Sequence, residues 1–143
     1  SDLHTGSIMK NTHHSIPRHM FRLLAPLMLV LLAVPALARD ISVQDAAALL
    51  QNPPQGLVIL DVRTPAEFRE GHLPGAVNMD YFGGPFETQI QSLPKTAPVL
   101  LYCRTGNRSG SAYDIMTKAG IGNILHMNEG ITKWQQLGLP QEK

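Results

Sequence analysis

Cysteine, aromatic residues and net charge are all scarce in this chain, and each shortage excludes something. One cysteine in 143 residues leaves no partner for an internal disulfide, so the fold must be held by its apolar core. Aromatics make up 6% of the chain and the formal charge is only +1. That leaves neither a base-stacking platform nor a basic surface, and no nucleic-acid partner is expected. Long apolar runs are equally few. The one candidate is "LLAPLMLVLLAVPALA", Leu23 to Ala38, which Pro26 and Pro35 interrupt. It is shorter than the ~20 apolar residues a spanning helix needs. The whole chain is 43% hydrophobic, enough for one domain with a proper core and hardly two.

Around that run the order of features is informative. Lys10, Arg18 and Arg22 precede it, and it ends in Ala36-Leu37-Ala38, the small-x-small pattern read by signal peptidase. Residues 1–38 therefore read as a leader holding a signal peptide over 9–38, cleaved after Ala38. The expectation is export to a bacterial periplasm with no stable membrane insertion after processing. The alternative is a membrane anchor over residues 23–38. From Arg39 onward there are nine Lys plus Arg and ten Asp plus Glu, so the domain expected over 39–143 is near neutral. His4, His13, His14 and His19 fall in the leader, which leaves His72 and His126 beside one thiol. That is too few ligands at recognisable spacing for zinc, and no metal is expected.

Along the rest of the chain, helical and strand patterns alternate. Ser42 can cap a helix over "VQDAAALLQ", with Val43, Ala46, Ala47 and Leu50 on one face. Asn52 to Gly56 makes a turn, and the apolar run Leu57 to Asp61 reads as a strand buried on both faces. Thr64, Pro65 and Glu67 stand where a capping box wants them at the start of a second helix. A short strand over Ala76 to Met79 and a helix over Pro85 to Leu93 follow. "APVLLYC" is another buried strand. "SGSAYDIMTKAG" is a helix with Ala112, Ile115, Met116 and Ala119 inward. "NILHM" is a short strand and "ITKWQQLG" a last helix, with Trp134 as a core side chain. This alternation implies right-handed crossovers and a parallel sheet, an α/β domain whose ligands sit beyond the carboxyl ends of the strands.

Cys103 lies at such an end, in "LYCRTGNRSG". A loop between a strand end and a helix start turns unpaired backbone N–H groups toward one centre, and the helix dipole adds positive potential. A thiol placed there is driven toward thiolate. Arg104 and Arg108 add charge that can fork onto an oxyanion, and Gly106 lets the chain curl inward. This describes a nucleophilic cysteine facing an anion. The plainer alternative is a core cysteine followed by a polar loop whose arginines make surface ion pairs.

The same loop resembles the active-site loop of rhodanese-like sulfurtransferases. Two further stretches are similar to that family in the same order. They are "ILDVRTPAEFREGHLPGAVNM", Ile59 to Met79, and "NEGITKWQQLGLP", Asn128 to Pro140. The resemblance covers nearly all of Asp40 to Pro140 and departs at Glu129, where many members carry a glycine. A changed turn without lost chemistry is expected there. The resemblance implies a five-stranded parallel sheet flanked by helices on both faces, in an exported single-domain member. It also implies sulfur transfer from thiosulfate or a persulfide to cyanide or a thiol, through a persulfide on Cys103. Arg104, Thr105, Gly106, Asn107 and Arg108 would bind the substrate. Asp61, Arg63, Glu67 and His72 would support the structure, with Asp61 paired to a loop arginine such as Arg108. No cofactor is implied; partners are a small-molecule sulfur donor and acceptor, and a monomer is expected. Two other readings remain: a non-catalytic sulfur-carrier, binding or sensing module, and a phosphatase of related fold. Related phosphatases use a seven-residue loop, whereas Cys103 to Arg108 spans six residues.

Overall fold

The computed structural model describes residues 38–143. The leader, signal-peptide and anchor readings rest on residues before these and lie outside the described part. Five strands form one parallel sheet: β1 Arg39–Asp40, β2 Val58–Asp61, β3 Val77–Asn78, β4 Val99–Tyr102 and β5 Ile124–His126, in spatial order β1-β5-β4-β2-β3. Five helices connect and flank them: α1 Val43–Gln51, α2 Pro65–Glu70, α3 Phe86–Gln89, α4 Asn107–Lys118 and α5 Gly130–Gln136.

The central strand explains the layers. All four residues of β4 are buried, because successive side chains point to opposite faces and both faces are covered. Val99 and Leu101 pack with Phe86, Ile90, Ala112 and Met116 from the α3 and α4 side. Leu100 and Tyr102 pack with Val43, Ala46, Ile131 and Trp134 from the α1 and α5 side. The domain is thus an α/β sandwich with helices on both faces of its sheet.

Local signals set most boundaries. Ser42 accepts a hydrogen bond from the Asp45 N–H at 3.0 Å and caps α1. Thr64 and Glu67 make both bonds of a capping box on α2, with Pro65 at its first position. Strand ends and the start of α5 shift by one or two residues, and three helix boundaries differ from the sequence expectation in ways that have a cause. The helix over Pro85 to Leu93 is instead α3 followed by a 3₁₀ turn, Ile90–Ser92. Pro94 follows Leu93, which it holds in extended backbone at φ −79° and ψ 135°. Helix α4 starts at Asn107, two residues before the expected Ser109, because its cap is Gly106 in the left-handed region and not a capping side chain. It ends at Lys118 and leaves Ala119 exposed, where it was expected inward, while Ile115 within the helix packs on the core half-buried.

Strand β1 has no counterpart in the periodicity, since two residues cannot show a period. Pairing makes it: Arg39 lies opposite Leu125 and Asp40 opposite His126. The parallel arrangement then brings four strand ends to one edge of the sheet. Asp40, Asp61, Cys103 and His126 all gather there.

Candidate active site

The loop after β4 closes on the sulfur of Cys103. The Gly106 N–H donates to Sγ at 3.0 Å, and the Ser109 hydroxyl, 3.2 Å away, donates to it when it is a thiolate. Backbone N–H groups of Ser109 and Thr105 also point to it. Helix α4 has no side-chain cap, and the sulfur accepts from the amide of its cap residue instead. Burial pushes the thiol pKa up, but the hydrogen bonds from Ser109, Gly106 and Thr105 outweigh it, and the net direction is down. Cys103 is only 1% exposed, so a ligand must be small and seated inside the loop to reach Sγ.

The loop is supported from beneath by α5. The N–H of Ile131 donates to the Cys103 carbonyl at 2.9 Å, and that of Thr132 to the Arg104 carbonyl at 3.2 Å. Helix-start amides that lack an intrahelical partner thus hold the loop's outward carbonyls. Gly106 (φ 105°) and Gly130 (φ 73°) make this approach possible. A Cβ at Gly106 would run into the Asn128 carbonyl oxygen, and one at Gly130 into the Arg104 carbonyl. Glu129, the departure from the family pattern, is occupied elsewhere, accepting from the Val43 N–H at the start of α1 at 3.0 Å.

The expected site residues fall into two groups. Arg104, Thr105 and Asn107 are exposed around the loop, and among the described residues Arg104 makes no ion pair. Arg108 is engaged differently: Nη1 and Nη2 fork onto the two oxygens of Glu67 at 2.7 and 2.9 Å. This pairing, with the capping bonds from Thr64, pulls the Glu67 carboxyl down to about 2. The partner of Arg108 is therefore Glu67 and not Asp61. Asp61 is taken by Arg63, two residues on, with Nη2 to Oδ2 at 2.7 Å and Nε to both oxygens. Both side chains are buried, and the same Nη2 also donates to the Gly71 carbonyl. A nearer buried guanidinium wins because an unpaired carboxylate at 0% exposure would be costly. His72 packs flat on Phe68, with ring centroids 3.7 Å apart, and its Nδ1 meets the Phe68 carbonyl at 2.9 Å. Asp61, Arg63 and His72 thus brace the chain beside the loop without touching the sulfur.

Three residues that sequence reasoning passed over stand behind the cysteine. Ser109, His126 and Asp40 line up from Sγ outward, with Ser109 Oγ 2.7 Å from His126 Nε2 and His126 Nδ1 3.0 Å from Asp40 Oδ1. One signal was readable: a helix started at Asn107 puts Ser109 at its third residue, facing the loop. Among the described residues no three His, Cys, Asp or Glu side chains cluster as a metal ion would require.

The rhodanese-like domain family matches residues 42–137, two thirds of the chain. The chain belongs to the rhodanese-like domain family. A "Sulfurtransferase" of Allochromatium vinosum is 34% identical over 86 residues, covering 60% of this chain and 78% of that protein. The "Thiosulfate sulfurtransferase GlpE" of Pseudomonas entomophila is 30% identical over 97 residues, covering 68% and 84%. Other relatives are longer, and the chain spans 20% of a "Probable adenylyltransferase/sulfurtransferase MoeZ" of Mycobacterium tuberculosis. A rhodanese-related protein of Thermoplasma volcanium has the same fold, with a TM-score of 0.60 at 23% identity over 73% of this chain and 97% of that one. For this rhodanese-like domain, sulfur transfer is the general activity that family and relatives support.

Proposed function

We propose that the domain is a thiosulfate sulfurtransferase working through a persulfide on Cys103. The observation that carries this reading is the convergence of the Gly106, Thr105 and Ser109 donors on one buried sulfur. Cys103 thiolate attacks the outer sulfur of thiosulfate; the new S–S bond forms as the old one breaks, and sulfite leaves with the electron pair. The Cys103 persulfide then passes its outer sulfur to cyanide or a thiol and the thiolate returns, two half-reactions with ping-pong kinetics. Amides that hold the thiolate also hold the charge as it moves one atom outward. Arg104, exposed and unpaired among the described residues, is the guanidinium free to meet the sulfonate. Intact mass tests the reading. Thiosulfate adds one sulfur atom and cyanide removes it; an unchanged mass, or sulfur gained by Cys103→Ser, refutes it.

We further propose that the domain acts in a periplasm, released from its leader after Ala38. The charged start, apolar block and Ala-x-Ala end of residues 9–38 support this. N-terminal sequencing of the protein from its native host should return Arg39 from a periplasmic extract. A full-length product in the membrane fraction would favour the anchor over residues 23–38.

A further inference from the structure

Behind the sulfur, one hydroxyl faces three acceptors with a single hydrogen to give. Ser109 Oγ lies 3.2 Å from Cys103 Sγ, 3.2 Å from the Gly106 carbonyl and 2.7 Å from His126 Nε2. The shortest of these contacts leads away from the loop. His126 is 6% exposed, and its other nitrogen meets Asp40 at 3.0 Å. Since an ionised carboxylate only accepts, Nδ1 must carry a hydrogen. In the neutral ring Nε2 is then a lone pair, so the Ser109 hydrogen points to it and Oγ is open to accept from the Cys103 S–H. In the charged ring Nε2–H donates to Oγ, and the Ser109 hydrogen turns to the Cys103 thiolate. Both states satisfy every group in the row.

We propose that Ser109, His126 and Asp40 form a proton relay for Cys103, in which His126 is a positioning residue that holds the thiol proton while the sulfur is a thiolate. Two hops connect the states. The S–H bond breaks as a new O–H bond forms on Ser109, and the old Ser109 O–H breaks as N–H forms at His126 Nε2. Thiol and imidazole become thiolate and imidazolium, with no proton exchanged with solvent. The relay deepens the persulfide reading and rests on Cys103 being the nucleophile. Elements far apart in sequence build it: Asp40 from β1, His126 from β5 and Ser109 from the first turn of α4. Asp114 and Tyr113 of α4 also face His126, and Arg108 faces the sulfur. Burial pushes the imidazole down while Asp40 and Asp114 push it up, and the net direction is down, so the ring is neutral beside the Cys103 thiol and takes the proton only as the thiolate forms to offset its charge.

The test reads thiolate formation and needs no sulfur transfer, so relay and persulfide can fail separately. Alkylation by iodoacetamide across pH reports one site, because Cys103 is the only thiol in the 143-residue chain. His126→Gln should raise the midpoint and slow alkylation about tenfold on the acid limb, and Asp40→Asn should do the same to a smaller extent. Ser109→Ala should raise it too, and adding His126→Gln to Ser109→Ala should do nothing more, because the imidazole acts only through the hydroxyl. Asp40 is surface-exposed, so its variant keeps the test available if the buried changes unfold the protein. Midpoints unmoved in folded Asp40→Asn and His126→Gln, or additive shifts in the double variant, overturn the relay. A second readout is the ¹⁵N titration of the His126 ring, which should change midpoint once Cys103 is alkylated. An identical titration before and after overturns it as well.

Discussion

The two loop arginines are two residues of one type doing different work. Arg104 is exposed and has no carboxylate partner among the described residues, whereas both terminal nitrogens of Arg108 are spent on Glu67. Arg104→Ala should therefore raise the apparent KM for thiosulfate roughly ten- to hundredfold, the loss of one charge-assisted contact worth about 1.5–3 kcal/mol, and leave the melting temperature unchanged. Arg108→Ala should lower the melting temperature as well as the rate, since it strips Glu67 of its strongest partner. Steady-state kinetics with thermal melts on both variants check this. Equal effects of the two changes on KM and stability would mean that the division is wrong. Cys103→Ser should abolish transfer, because a hydroxyl cannot carry the persulfide.

At the scale of elements, the cysteine loop depends on two contacts that bridge helices. One is the Glu67–Arg108 pair, which ties α2 to α4. The Glu67 carboxyl is held at about 2 against an ordinary 4.5, so the pair's stability is fully present above pH 4.5 and is lost as pH falls toward 2. At neutral pH Glu67→Gln should cost on the order of 1–3 kcal/mol, allowing for partial exposure. Denaturant melts at pH 7 and pH 3 should show the gap between variant and parent narrowing in acid. A constant gap would refute the pair's role. The other contact is the start of α5 against the loop. Gly130→Ala places a Cβ on the Arg104 carbonyl at a left-handed φ of 73°, so α5 must move away from the loop. A loss of at least 1–3 kcal/mol is expected from the backbone strain alone, with slower Cys103 alkylation, because the carbonyls that α5 holds set the curl of the cradle. Unchanged alkylation in a folded Gly130→Ala would show that α5 does not shape the loop.

For the whole molecule, the decisive strand is one of the two shortest. β1 closes one edge of the sheet at Arg39–Asp40, and the Ile41 N–H donates to the His126 carbonyl at 2.9 Å while the Ile41 side chain is buried. A chain beginning at Arg39 should melt as the parent does. One beginning at Ser42 should lose on the order of 2–4 kcal/mol, from the buried isoleucine and its hydrogen bond. Equal melting of the two would mean that the domain starts later than residue 39.

The sequence by itself determined what is local. Ser42, Thr64, Pro65 and Glu67 announce helix starts because a cap lies within three residues of the amide it satisfies. "VLLY" announces a strand buried along its length, and "VILD" one that is buried at Leu60 and Asp61 and half-buried before them, because a covered strand is apolar or ends in its one polar residue. The loop from Cys103 to Arg108 is likewise contiguous, and the chemistry of a thiol among amides could be read from it directly. Only the tertiary structure decided which distant groups would meet. Two guanidiniums and two carboxylates can pair in more than one way, and burial chose Arg63 for Asp61 and left Glu67 to Arg108. Asp40 and His126 stand 86 positions apart, and no pattern along the chain joins them. They meet because parallel pairing sets β1 beside β5 and brings both strand ends to the edge where Cys103 waits.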